Sequence, residues 1–149
     1  MKKAVDDNYD LRWAWLDIPD PPSLHHAGLD KIVEAMDEDD PRWWPHVEVE
    51  RHLLMMADAH RERVLSLKDR EEVTYRTLYR RIRFGKQRAE VRKDDIAGCL
   101  RTARGGSSRQ MVVRAGNGQI KMRHMTAREY ARLQGVPDSY PILLMRFKL

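Results

Sequence analysis

The sequence contains little cysteine and no long apolar run. Its single cysteine, Cys99, excludes an internal disulfide framework and is typical of a protein in the reducing cytoplasm. No apolar stretch approaches the roughly 20 residues that a membrane-spanning helix needs. Lys2 and Lys3 are followed by Asp6 and Asp7 rather than by an apolar segment, so the sequence predicts no secretory signal. We therefore expect a cytoplasmic protein without a membrane partner.

Patterns of metal-ligating residues are also scarce. His52 and His60 are not accompanied by a cysteine or aspartate that would complete a zinc ligand set. Asp37–Asp40 is a run of acidic residues, but it lacks the alternating oxygen-ligand spacing of a calcium loop and is interpreted as a solvated acidic turn. The sequence therefore predicts no metal site.

Charge is divided unevenly along the chain. The 149 residues carry a net charge of +5, with 34% charged and 42% hydrophobic residues. Residues 1–72 hold 10 Lys and Arg against 18 Asp and Glu, whereas residues 73–149 hold 18 against 5. The basic half is expected to attract a polyanion such as nucleic acid, and the acidic half to face solvent or a protein partner.

The hydrophobic pattern predicts helices in the acidic half and strands in the basic half. Leu29–Met36 and Val47–Leu67 place apolar residues at helical spacing, and Leu11–Leu16 alternates as a short strand does. Gly116–Gly118 suits a hairpin turn. Runs of β-branched and aromatic residues predict strands at Val73–Tyr75, Thr77–Phe84, Ala89–Val91, Ala97–Arg101, Met111–Val113 and Gln119–Arg123.

These elements predict an α+β fold with a helical N-terminal half, a small, mainly antiparallel β lobe and a short capped helix. The predicted parts are a junction segment (1–23), a helical acidic part (24–72), a basic β part (73–123) and a motif helix with a truncated tail (124–149).

One predicted strand of the basic part has an apolar and a basic face. Its basic face carries Tyr79, Arg81 and Arg83, which predicts a half-buried strand whose outer face contacts a DNA groove. An ordinary solvated sheet face is the alternative. The apolar positions expected to be buried are Leu78, Ile82 and Phe84.

The stretch Arg101–Gln110 is basic, rich in hydroxyl groups and contains two adjacent glycines. Arginine charge, hydroxyl donors and backbone N–H groups that glycine leaves accessible all suit a phosphate. Such contacts position a protein on DNA without reading its sequence. An ordinary solvated arginine loop is the alternative. The residues predicted to bind DNA are Arg81, Arg83, Arg101, Thr102, Arg104, Gly105, Gly106, Ser107, Ser108, Arg109 and Gln110.

A short helix with both ends marked follows this stretch. Thr126 is an N-cap residue, and Glu129, three positions later, completes a capping box. Tyr130 and Leu133 give the helix an apolar edge. Gly135 stands where a C-terminal cap is expected.

The segment Arg123–Tyr140 resembles the motif that follows the target-recognition region of DNA cytosine-5 methyltransferases, with the pattern R-x-L-T-x-R-E-x-A-R-L-Q-G-F-P-D. Met125 and Val136 replace the Leu and Phe of that pattern, and both remain apolar. Leu100–Gln110 also resembles the end of the recognition region in some members. The resemblance implies a structural role for Arg123, Thr126, Arg128, Glu129, Arg132, Leu133, Gln134 and Gly135.

What the resemblance implies is the DNA-recognition half of such an enzyme. The family's Phe-x-Gly-x-Gly cofactor loop, Pro-Cys nucleophile and Glu-Asn-Val motif do not occur, since Cys99 follows Gly98 and Phe84-Gly85 precedes Lys86. We expect no catalytic residue, no cofactor and no activity in this chain alone. S-adenosylmethionine would serve the complete enzyme. The implied partners are double-stranded DNA and a catalytic methyltransferase subunit.

Two other interpretations are open. The basic half also suits a small non-enzymatic DNA- or RNA-binding protein such as a repressor, although this does not explain the Arg123–Tyr140 resemblance. The tail Ile142–Leu149 is compatible with a frameshift after Tyr140, which would make the chain a truncated methyltransferase fragment without function. The target DNA sequence is not predicted, because major-groove recognition follows no fixed code between residues and bases.

Overall fold

The computed structural model describes residues 2–14, 19–20, 28–100 and 109–142 of the chain. Within these ranges the helices are α1 (Lys2–Asp6), α2 (Leu29–Ile32), α3 (His46–Leu54), α4 (Asp58–Lys68) and α5 (Ala127–Leu133). The strands there are β1 (Thr74–Arg83), β2 (Lys86–Val91), β3 (Met111–Gly116) and β4 (Gln119–His124). The fold is therefore α+β, as predicted. No helix in these ranges is long and apolar enough to cross a membrane.

These strands form one antiparallel sheet in the order β2-β1-β3-β4. The predicted hairpin turn between β3 and β4 is present, with Asn117 at φ 51° and Gly118 at φ 73°. Positive φ at both central positions defines the type I′ turn, which follows the twist of the paired strands. A second turn of the same kind joins β1 to β2, with Phe84 at φ 50° and Gly85 at φ 73°. The sequence pattern did not indicate this second hairpin.

One face of the sheet packs against α3 and α4. Leu78, Met111 and Met122 belong to a buried apolar cluster that also contains Val49 of α3 and Val64 of α4. Burial of apolar surface is the main favourable contribution to folding. The acidic helical segment and the basic sheet thus share one hydrophobic core.

The other face of the sheet packs against α2 and α5. Leu29 of α2 and Val112 of β3 are buried together there, and Tyr130 and Leu133 of α5 pack against them. β3 is therefore covered on both faces. This explains why Met111–Val113 is an uninterrupted apolar run rather than an alternating one.

The predicted single helix over Val47–Leu67 is wrong, because the structure has two helices, α3 and α4, separated by residues 55–57. Met56 forms a parallel bridge with Ala89 of β2, and the amide of Ala89 donates to the carbonyl of Met55 at 3.2 Å. Residues 55–57 thus leave the helix and cover part of the outer edge of β2, the edge strand of the sheet. Apolar periodicity does not reveal this break, because the backbone partner is distant in sequence.

The helix predicted from the Leu29–Met36 pattern is also shorter than expected. It ends at Ile32 because Val33 has an extended backbone, with φ −68° and ψ 134°. The next amide, that of Glu34, donates to the carboxylate of Glu129 at 2.8 Å instead of continuing the helix. A tertiary hydrogen bond thus replaces the second helical turn.

Two predicted strands do not form in the described residues. Residues 97–100 are not a strand, because the backbone of Gly98 is bonded to the side chain of Gln110 rather than to a neighbouring strand. Residues 11–14 are not a strand either, and the Trp13 indole donates to a carbonyl of the preceding turn at 3.0 Å. The parts of these predictions that lie outside the described residues are Trp15, Leu16 and Arg101.

Candidate nucleic-acid interface

Among the described residues, β1 pairs beyond Leu78 with β2 alone. Its register with β3 ends at Leu78, whereas its register with β2 continues to Arg83, opposite Lys86. Tyr79–Glu90 therefore form a two-stranded antiparallel hairpin, called the ribbon below. All of residues 81–87 in the ribbon are exposed.

The predicted half-buried strand is buried only at its base. Leu78 is fully buried, but Ile82 is 74% exposed and Phe84 is 104% exposed. The predicted burial of these two residues is therefore wrong. The reason is that, among the described residues, neither buried apolar cluster extends along β1 beyond Leu78, so no packed element covers these two side chains. Alternation in the sequence indicates a face, but it does not indicate where the covering layer stops.

One face of the ribbon is basic. The residues of this face, in directly opposed pairs, are Tyr79 and Glu90, Arg81 and Arg88, and Arg83 and Lys86. Opposed residues in antiparallel strands project to the same side. The guanidinium of Arg81 lies 4.7 Å from the centre of the Tyr79 ring, and Arg83 Nε donates to Glu90 Oε1 at 3.2 Å. The structure thus brings together two of the residues predicted to bind DNA.

Glu90 organises this face electrostatically. Burial raises the pKa of the Glu90 carboxyl, but hydrogen bonds from Tyr79 and Arg83 together hold it below its ordinary value. Burial also raises the pKa of the Tyr79 phenol, and the hydrogen bond with Glu90 raises it further. Glu90 is therefore ionised at neutral pH and orients its neighbours, while the guanidinium groups of Arg81 and Arg83 remain half-exposed.

The basic loop predicted over Arg101–Gln110 is described only at its C-terminal end. Arg109 is exposed, whereas Gln110 is 3% exposed. Gln110 Nε2 donates to the Gly98 carbonyl at 2.7 Å, and Gln110 Oε1 accepts from the Gly98 amide at 3.2 Å. Gln110 therefore ties together the two segments that flank residues 101–108. The predicted DNA-binding residues that lie outside the described part of the chain are Arg101, Thr102, Arg104, Gly105, Gly106, Ser107 and Ser108.

Arg109 acts electrostatically on His124, the last residue of β4. Burial lowers the pKa of His124 to about 4, and the nearby positive charges of Arg109 and Arg80 lower it further. His124 contacts Trp44 with a ring separation of 5.0 Å on the sheet face that packs against α3. Arg109 therefore lies within electrostatic range of His124, whereas Arg81 and Arg83 lie beside Glu90 on the ribbon.

Two histidines beside Trp44, the buried His52 and the half-buried His124, were not predicted from the sequence. The rings of Trp44 and His52 lie 4.6 Å apart, and burial lowers the pKa of His52 as it does that of His124. Both imidazoles are therefore neutral at pH 7. The sequence does indicate that His52 is buried, because His52 follows Val49 by about one helical turn and therefore lies on the same apolar face of α3. The described residues contain no group of three or more His, Cys, Asp or Glu side chains that could hold a metal ion.

The residues of the methyltransferase-like motif interlock around a buried ion pair. Arg123 of β4 and Glu129 of α5 form a bidentate pair whose side chains are 1% and 0% exposed. The Glu129 carboxylate also accepts from the amides of Glu34 and Thr126, each at 2.8 Å. The guanidinium of Arg123 lies 5.1 Å from the centre of the Trp43 ring. This pair therefore joins β4, α5 and the segment that follows α2.

The predicted capping box at the start of α5 is present. Thr126 Oγ1 accepts from the Glu129 amide at 3.2 Å, while the Glu129 side chain accepts from the Thr126 amide. The Thr126 hydroxyl also donates to Glu34 Oε2 at 2.6 Å. The N-terminal amides of α5 are thus satisfied by the same groups that attach the helix to its neighbours.

The C-terminus of α5 is closed by a Schellman motif at Gly135, which has φ 75°. The Gly135 amide donates to the Arg132 carbonyl, and the Val136 amide donates to the carbonyl five residues before it, both at 3.0 Å. Arg132 pairs with both carboxylate oxygens of Asp138, at 2.8 and 2.7 Å, and donates to the Ile32 carbonyl at 2.9 Å.

The other motif residues also contact the chain itself. Arg128 donates to the carbonyl of Tyr140 at 2.9 Å, and Gln134 donates to that of Tyr130 at 3.4 Å. Leu133 packs in the cluster between α5 and the sheet. The residues that resemble the methyltransferase motif therefore form one structural unit, which attaches α5 to β4 and α2.

No protein-family model matches the chain, and neither a curated protein nor a solved structure does. The methyltransferase resemblance therefore depends on the residues of Arg123–Tyr140 and Leu100–Gln110 themselves. Any function has to be inferred from those residues and from the geometry described above.

Proposed function

We propose that the chain is the DNA-recognition half of a DNA cytosine-5 methyltransferase. The observation that carries the proposal is the interlocking of the motif residues. Arg123, Thr126, Glu129, Gly135 and Asp138 match the family's pattern, and each has a definite structural task in this chain. A pattern that arose by chance in a helix would not be expected to join β4, α5 and the α2 segment through Arg123, Glu129 and Arg132.

The complete reaction would transfer a methyl group from S-adenosylmethionine to carbon 5 of a cytosine. The target base has to leave the base stack, because its ring atoms are inaccessible inside the duplex. The nucleophilic cysteine and the cofactor-binding loop would belong to a separate catalytic chain, for which this chain would supply DNA contacts.

Charge and shape support DNA as the ligand. The ribbon presents half-exposed guanidinium groups at Arg81 and Arg83, and Arg109 is exposed near the segment 101–108. Arginine and lysine contacts to phosphates provide most of the affinity of such an interface, while base edges in the major groove provide specificity. Gln110 would contribute by closing the base of the loop, because its amide group is already bonded to Gly98.

Complementation in trans tests this proposal. The chain is mixed with labelled S-adenosylmethionine, duplex DNA and the catalytic half of a cytosine-5 methyltransferase that lacks its own recognition region. We expect label in DNA only when both proteins are present, and none when the Pro-Cys cysteine of the catalytic half is replaced by serine. Label that is equal with and without this chain would overturn the proposal.

A second candidate is a non-enzymatic DNA-binding protein, and the exposed basic ribbon favours it because the ribbon needs no catalytic partner to contact DNA. The two candidates differ in the same assay. Strong binding of duplex DNA by the chain alone, without complementation of any catalytic half tested, would favour the second.

A further inference from the structure

We infer that the tip of the ribbon inserts Phe84 between adjacent base pairs of duplex DNA from the minor groove and bends the duplex. This inference rests on the proposed binding of DNA, but not on the methyltransferase assignment. It concerns a residue to which neither the sequence motif nor the basic loop gives a role.

The conformation of the turn provides the first argument. Phe84 and Gly85 have φ of 50° and 73°, almost the same values as Asn117 and Gly118 in the other hairpin. Type I′ turns favour Asn, Asp or Gly at the first of these positions, and the Asn117-Gly118 turn follows that preference. A bulky side chain at positive φ is uncommon and works against the turn. The requirements of the turn therefore do not explain why residue 84 is a phenylalanine.

Exposure provides the second argument. The Phe84 side chain is fully exposed at the end of the ribbon, and Ile82 is also largely exposed. Packing within the folded chain therefore does not explain a phenylalanine at this position either. A large apolar ring at the end of a hairpin is unfavourable in water, and exposed apolar groups of this kind mark interaction sites when they occur together.

The charge around the tip identifies the partner. The ribbon carries five Lys and Arg and one acidic residue. Arg83 and Lys86 flank the turn as a directly opposed pair, so the Phe84 ring is bracketed by two cations. The flat apolar ring can stack on the bases of a duplex, and the two cations beside it can pair with the phosphates on either side. Architectural proteins of the minor groove insert apolar side chains between base steps in this way.

The dimensions predict a bend. Five residues of β1, from Tyr79 to Arg83, extend about 17 Å at about 3.4 Å per residue, which exceeds the roughly 7.5 Å depth of the minor groove. The ribbon is therefore long enough to reach the floor of a minor groove that has been widened. The strands lie about 4.8 Å apart before their side chains are counted, so the ribbon is too wide for a groove of about 6 Å. Unstacking by a wedge and bending toward the major groove would widen it.

The test measures bending and binding separately. A duplex of about 30 base pairs with a central flexible TA step carries a donor and an acceptor dye at its ends. Energy transfer at saturating protein reports the bend, and fluorescence anisotropy reports affinity. We expect the wild-type chain to raise energy transfer. Phe84→Asn should remove most of that rise and weaken binding roughly tenfold, because base–aromatic stacking is lost. Phe84→Trp should retain the bend.

Two controls keep the outcomes distinct. Phe84→Asn recreates the Asn-Gly turn of the other hairpin, so its melting temperature should not fall. Arg83→Gln combined with Lys86→Gln should weaken affinity, while the bend at saturation persists. If the wild-type chain binds duplex DNA and Phe84→Asn bends it equally, the wedge is overturned and DNA binding stands. If the wild-type chain binds anionic lipid vesicles or single-stranded DNA but not duplex DNA, the wedge and the proposed binding of duplex DNA are both overturned.

Discussion

Arg123 and Glu129 form a bidentate ion pair in which both side chains are buried between β4 and α5. The Glu129 carboxylate also accepts two hydrogen bonds from backbone amides, those of Glu34 and Thr126. The pair is thus the point at which α5, β4 and the segment that follows α2 are attached to one another. Because a buried charge is costly without its partner, replacing either member of this pair alone is expected to be strongly destabilising.

We predict that Glu129→Gln lowers the free energy of unfolding by about 3–5 kcal/mol, because it leaves the Arg123 guanidinium buried without a counter-charge. Asp138→Asn is the matched control, since it breaks the more exposed pair with Arg132 and should cost much less. Urea unfolding of the variants measures both values. Equal losses for the two variants would show that burial does not determine the strength of these pairs.

Gly135→Ala should destabilise the chain by about 1–2 kcal/mol, because an L side chain at φ 75° disfavours the Schellman turn. A Cβ at this position meets no atom within 4 Å, so the loss is expected from the backbone alone. Gly135→Asn, which tolerates this conformation better, should lose less. Thermal unfolding tests the order, and an alanine variant as stable as wild type would contradict it.

Stability is predicted to fall as the pH is lowered from 7 to 5. The pKa of His124 is about 4 in the folded chain, below its ordinary value of 6.5, so the unfolded chain binds more protons in this window. The lowered pKa of His52 acts in the same direction. His124 alone should contribute about 1–2 kcal/mol of this loss.

The corresponding measurement is urea unfolding at pH 7 and pH 5. His124→Phe retains an aromatic ring beside Trp44 but cannot titrate, so it should reduce the dependence on pH. His46→Gln, which removes an exposed imidazole at the start of α3, is the matched control. A His124→Phe variant with the full wild-type dependence would assign the effect to other groups.

Binding to duplex DNA should weaken steeply as salt rises, because neutralised phosphates release counterions. Arg81→Gln combined with Arg83→Gln should reduce the slope of log affinity against log salt by about 1–2. The matched control is Arg51→Gln with Arg61→Gln, which removes the same charge from two exposed helix arginines. Equal slopes for the two double variants would show that the ribbon arginines do not contact phosphate.

Several features of this protein could be predicted from the sequence because they depend on local preferences. The α+β class follows from the change of apolar period near Val73. The hairpin turn at Gly116–Gly118 and the capping box at Thr126 follow from the backbone angles and short hydrogen bonds that those residues favour. Each signal lies within a few residues, and no distant partner alters it.

Other features were decided only by contacts between distant segments. The break between α3 and α4 depends on Ala89, the burial of Gln110 depends on Gly98, and the early end of α2 depends on Glu129. The exposure of Phe84 reflects where the packed apolar clusters of the described residues stop along β1, at Leu78. Apolar periodicity specifies which side of an element is suited to burial, but only the packed neighbours determine whether that side is covered. The same alternation therefore ends in the core at Leu78 and in solvent at Phe84.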